Sequence, residues 1–152
     1  DRFPIDVEDW DLWIRIAGAG YRVALVRDVL YLYRRHDSNS SVAVDSLDAA
    51  YRHLLAKVFD GQPPRRRWLL APAVARVEMI LGWQSLNDLG DHRRARDYRR
   101  SARRHDAAVL RHLEFWRLGA ATTAMRLLGE TGYSWLRETA GVFRRALRLR
   151  RS

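Results

Sequence analysis

Within residues 7–13, Val7-Glu8-Asp9-Trp10-Asp11-Leu12-Trp13, the acids Glu8, Asp9 and Asp11 alternate with large apolar side chains. Abstracting a proton from a hydroxyl needs a carboxylate kept ionised within reach of it. The free N–H groups of a helix's first turn hold a carboxylate in that state. The same placement also serves plain capping, in which acids satisfy backbone donors and do no chemistry. A second cluster, Tyr33-Arg34-Arg35-His36 followed by Asn39 and Ser41, gathers a cation, an imidazole and small polar groups after an apolar stretch. Arginine pairs with phosphate oxygens, and a neutral imidazole binds a divalent metal or a phosphate. An ordinary surface loop has a similar composition, so type and spacing leave both readings of this cluster open.

The elements that must hold these residues follow from periodicity. Trp10, Trp13, Ile14 and Ala17 recur at three- and four-residue steps, which predicts a helix over 8–19 ended by Gly18 and Gly20. On that helix Asp9 and Trp13 share a face, while Glu8 and Asp11 lie on another with Leu12 and Arg15. Residues 21–26 and 29–33 are rich in β-branched and aromatic side chains and are split by Arg27-Asp28, which predicts two short strands or one bent strand. A polar loop over 34–41 leads to a helix over 45–59, which the run Gly61-Gln62-Pro63-Pro64-Arg65-Arg66-Arg67 breaks. Beyond it, helices are expected over 72–89, 91–105, 107–128 and 134–151, the first two forming an αα-hairpin like a single tetratricopeptide unit. The chain therefore divides into residues 1–60, a Pro/Arg linker at 61–67, and a helical extension over 68–152.

Composition narrows the possibilities. The chain has 152 residues, 47% hydrophobic and 30% charged, which is a globular mix. It has no cysteine, which excludes disulfides, thiolate nucleophiles and Cys-bound zinc. The net charge is +10, yet all the basic residues except Lys57 are arginine, a skew that coding bias explains without selection for nucleic-acid binding. Residues 1–60 carry 8 basic and 10 acidic side chains, and residues 61–152 carry 20 and 8. Neither a secretory leader nor an apolar run of about 20 residues is visible, so no spanning helix is expected.

Taken together, Glu8-Asp9-Trp10-Asp11-Leu12-Trp13-Ile14-Arg15-Ile16-Ala17, then Gly20-Tyr21-Arg22, then Tyr33-Arg34-Arg35-His36 with Asn39 and Ser41, resemble the C-terminal half of the catalytic domain of family 2 inverting glycosyltransferases of the GT-A fold. The resemblance covers about residues 1–42. It implies that Asp9 is the catalytic base that deprotonates an acceptor hydroxyl attacking the anomeric carbon of a nucleotide sugar, and that Glu8 helps to shape the acceptor site. It places Arg34 opposite the leaving diphosphate and His36 where some members add a metal or diphosphate contact. Asn39 and Ser41 close the pattern, and Trp10 and Trp13 offer a sugar-stacking face, although their helical spacing favours core packing.

On this reading the fold class is an α+β fragment, the acceptor-side part of a GT-A type α/β domain followed by an all-helical extension. The nucleotide-binding half and its Asp-x-Asp metal motif would lie outside it, leaving this chain catalytically silent alone. The implied cofactor is Mg²⁺ or Mn²⁺, held mainly by that other half. Asp9-Trp10-Asp11 has the letters of Asp-x-Asp, but its position at a helix start inside the other motif argues against a metal role. The implied partners are a nucleotide-sugar donor and a glycan or lipid-linked acceptor. Residues 134–151 set Trp135, Leu136, Val142 and Phe143 against several arginines, a profile that fits a helix lying on an anionic bilayer and equally a helix packed on the preceding hairpin with a solvated arginine face. The expected location is the cytoplasm, with a peripheral seat at the inner face of the plasma membrane. The alternative function is a non-catalytic helical adaptor for a protein partner.

Overall fold

The computed structural model describes residues 7–32, 44–60 and 62–149, with side chains as far as Thr139. Its elements are α1 (Glu8–Gly18), α2 (Val44–Phe59), α3 (Pro64–Arg67), α4 (Leu70–Asp88), α5 (His92–His105) and α6 (Leu113–Leu149), with a 3-10 turn at Ala107–Arg111. Pro64 opens α3 at a position where its missing N–H costs nothing, and the Pro63-Pro64 pair keeps α2 from running on.

Helix α4 is the centre of the molecule, and its sequence shows why. Apart from Arg76, Glu78, Gln84 and its last turn it is apolar on every side, as suits a helix covered on more than one side. Ala75, Met79 and Leu86 join Ala95, Ala102, Val109, Phe115, Leu118 and Met125 in one core shared with α5 and α6. Val77 and Leu81 face the other way, into a second core with Val7, Leu47, Ala50, Tyr51 and Leu54. Packing therefore continues across the Pro/Arg linker, because α4 supplies side chains to both cores.

The α4–α5 turn is built from two local devices. Gly90 sits at φ +65°, a backbone state that favours glycine and ends α4. Asp91 then caps α5, its Oδ1 accepting from the N–H groups of Arg93 at 3.0 Å and Arg94 at 2.9 Å. Asp91→Ala is expected to cost about 1 kcal/mol, the usual worth of such a cap, read as a lower denaturant midpoint. Further along, Gly129 interrupts α6 with φ +68° and ψ −176°, so the helix runs as two segments meeting at one residue.

The expected α+β class is corrected here. There is no strand among the described residues, which form an all-helical arrangement and not the α/β layers of a GT-A fragment. Residues 21–32, where strands were expected, carry no regular secondary structure. Their apolar side chains stand in solvent, with Leu25 85% and Leu32 88% exposed. The physical reason is that β-propensity measures fit to a partnered, half-buried surface, and no neighbouring strand among the described residues completes a ladder. The helices themselves keep close to their expected ranges. However, α4 starts at Leu70, with Pro72 inside its first turn, and the segment expected as a helix from residue 107 begins as a 3-10 turn.

Candidate functional site

The first turn of α1 carries the acids singled out above, and the structure gives them different surroundings. Val7, just before the helix, is fully buried against α2 and α4 and anchors the turn. Asp9 is exposed. Its Oδ1 accepts the N–H of Trp10 at 2.8 Å, and it forms no ion pair among the described residues. Glu8 is also exposed. Trp10 meets Tyr51 edge to face, ring centroids 5.5 Å apart at 81°, and stays partly in solvent, while Trp13 is mostly exposed. Burial raises the Tyr51 phenol pKa, and the nearby Asp9 charge adds to the rise.

Asp11 is the opposite case, 6% exposed with both carboxylate oxygens engaged. Oδ1 accepts from Lys57 Nζ at 3.0 Å and Oδ2 from Arg15 Nε at 2.9 Å. The hydrogen bond from Lys57 is the main cause holding its carboxyl below the ordinary 3.8. Burial opposes that shift, and the Lys57 charge and Arg15 reinforce it. The sign follows from linkage. A carboxyl with a depressed folded-state pKa stabilises the fold above 3.8 and loses that contribution as pH falls through the folded value. Asp11→Asn should therefore flatten the acid limb of stability against pH, checked by denaturant midpoints on either side of 3.8.

The cleft beside α1 opens on Asp11, Arg15, Lys57 and Arg66, and Asp9 is not among the residues lining it. These positions do not fit a divalent metal at Asp9-Trp10-Asp11, because Asp11 has already given both oxygens to cations while Asp9 faces solvent. Among the described residues no group of three or more carboxylate and histidine side chains converges as a metal site would require. Arg34, His36, Asn39 and Ser41 lie outside the described residues.

Two groups of polar contacts had no counterpart in the sequence reading. The bridge from Asp11 to Lys57 spans 46 positions, and its only local signal is the Asp11/Arg15 spacing of one helical turn. Between α2 and α5, Arg94 pairs with Asp45 and Tyr98 Oη donates to Asp48 Oδ2 at 3.1 Å, while Arg52, one turn along α2, pairs with the same Asp48 at 2.8 Å. Together these polar contacts tie α1 to α2 and α2 to α5 around the two cores.

No family model, curated protein or solved structure matches this chain. Among the described residues, no helix is long and apolar enough to cross a membrane.

Proposed function

We propose that this chain supplies the acceptor side of an inverting glycosyltransferase, with Asp9 as the base that takes the acceptor hydroxyl's proton. The observation that carries the reading is the different fate of two neighbouring acids: Asp11 is buried and neutralised by Lys57 and Arg15, whereas Asp9 is left open at a helix start. A carboxylate paired with two cations is a weaker proton acceptor and, once buried, is out of a substrate's reach, whereas an exposed one can meet an acceptor hydroxyl. The sequence pattern from Glu8 to Ser41 supports the same role. Glu8 and Trp10 then border the acceptor, and Arg34, His36, Asn39 and Ser41 contact the diphosphate or the acceptor. Positive charge on the leaving-group side would complement a single base on the acceptor side.

The test is sugar transfer from a panel of labelled nucleotide sugars by the natural protein that contains this chain, with and without Asp9→Asn. Loss of transfer with donor binding retained supports the base, and unchanged turnover removes it.

A second reading, a non-catalytic helical adaptor, draws on the way α4, α5 and α6 build a core of their own. It expects Asp9→Asn to be silent in every assay, while substitutions on the outer faces of α5 and α6 disrupt partner capture.

A further inference from the structure

The outer face of α6 carries an apolar stripe without a cover. Phe115, Leu118, Thr122 and Met125 point into the core, so the residues between them at helical spacing point away. Of these, Leu113 is 70% exposed, Trp116 58% and Leu127 69%, with Ala120 and Thr123 between them. Trp116 is fixed rather than loose, since its Nε1 donates to the Leu110 carbonyl at 2.9 Å and its indole N–H is already satisfied. A ring held this way presents apolar surface outward with no polar group left to desolvate.

Beside the stripe runs a row of cations on α5. Arg99 lies over the Phe115 ring, 4.6 Å from its centroid, and lines the same groove as Trp116 and Leu127. It fits there because residue 119 is glycine, where a Cβ would stand 2.9 Å from Arg99 Nη1. Neither Arg99 Nε nor Arg96 Nε, both buried, has a hydrogen-bond partner. Arg100 and Arg103 are exposed next to Arg99. Burial lowers the Arg99 pKa most, and the charges of Arg100 and Arg103 lower it further. The only acid within α5 is Asp97, 3.9 Å from Arg100.

We infer that this α5–α6 face docks on an anionic lipid bilayer. The stripe would enter the headgroup boundary and the arginine row would meet lipid phosphates. Charge complementarity selects this occupant. A second copy of the chain would bring the same arginine row against itself, and a nucleic acid would leave Leu113 and Leu127 in water. Long arginine stems lie along apolar surface while their heads reach the interface, which matches a cationic row bordering a leucine–tryptophan stripe. The inference does not rest on the transfer reading.

The experiment is flotation of the full chain with vesicles of phosphatidylcholine alone and of phosphatidylcholine mixed with phosphatidylglycerol. The variants are Trp116→Ser with Leu127→Ser, and Arg100→Glu with Arg103→Glu, all at exposed positions, with circular dichroism to show that each pair folds. Wild-type chain should float only with the anionic vesicles. The arginine pair should lower partitioning by roughly 20-fold or more, at about 1 kcal/mol per basic residue near the surface. The Trp/Leu pair should lower it comparably, and Trp135→Ser, beyond the Gly129 break, should leave most of it. Equal binding to both vesicle types would overturn the inference. So would retention by both paired variants, loss with Trp135→Ser alone, self-association that the Trp/Leu pair abolishes without lipid, or duplex DNA binding without vesicle binding.

Discussion

Gly82→Leu should lower the melting temperature by about 10 °C or prevent folding, because position 82 is where three helices meet. A Cβ there would stand 2.8 Å from Leu118 Cδ2 on α6, 3.4 Å from the Ala95 carbonyl on α5 and 3.5 Å from Tyr98 Cβ. The neighbours have little room to yield, since Leu81 and Leu118 are fully buried. Overpacking by one or two methylenes costs about 1–3 kcal/mol, and a leucine adds four heavy atoms at a backbone crossing, so about 3 kcal/mol or more is expected. For a domain of this length each kcal/mol moves the melting temperature by about 2–4 °C. Gly82→Ala is the informative control. It gains about 1 kcal/mol of helix propensity and meets mainly the end of one leucine side chain, so its net effect should be small. Thermal melts of both variants check the ordering, and a Leu variant as stable as the parent would mean that α5 and α6 do not close on α4 there.

Asp9→Asn carries the other large effect, on chemistry rather than stability. In the natural protein containing this chain, transfer should fall by about 10²- to 10⁴-fold, the usual worth of a positioned general base. Stability should hardly change, because Asp9 is exposed and an asparagine oxygen can still accept the Trp10 N–H. Asp11→Asn should do the reverse, loosening the tie from α1 to Lys57 while leaving most of the transfer rate. Measuring rate and unfolding on both variants separates the two acids. If both lose rate in proportion to stability, α1 is only a structural helix and Asp9 is not the base.

The helices were legible because their signals are local. Asp91 before an arginine-rich segment, Gly90 after an apolar one, and four-residue apolar steps all act within a turn or two, and the boundaries of α1, α2, α4 and α5 lie within two residues of the expected ones. By contrast, α3 falls inside the expected linker, and α6 starts six residues late and continues through 129–133 with a break at Gly129 alone. Residues 21–32 were misread for a related reason. Tyr21, Val23, Leu25 and Leu32 have the side chains of strands, but a strand exists only when a second one pairs with it, and that partner is not a local property. The candidate site was legible in part. The acids of α1 stood out by type, and spacing put Asp11 but not Asp9 one turn from an arginine, which is not enough to show that Asp11 is buried. The distinction comes from Lys57, brought to Asp11 by the packing of α1 on α2 from 46 positions away. The double role of α4 was hidden as well, because apolar residues all round a helix show that it is buried but not by what.

The break at Gly129 has a mechanical side. The segment from 130 to 149 is a rod of about 30 Å, and turning it by about 10° at its base would sweep its far end through roughly 5 Å. Glycine alone takes the torsions found at that joint without a Cβ penalty, so the leverage is written into one residue. Whatever grips the distal end of this arm can therefore register a small torsional change at Gly129 as a displacement wider than a side chain.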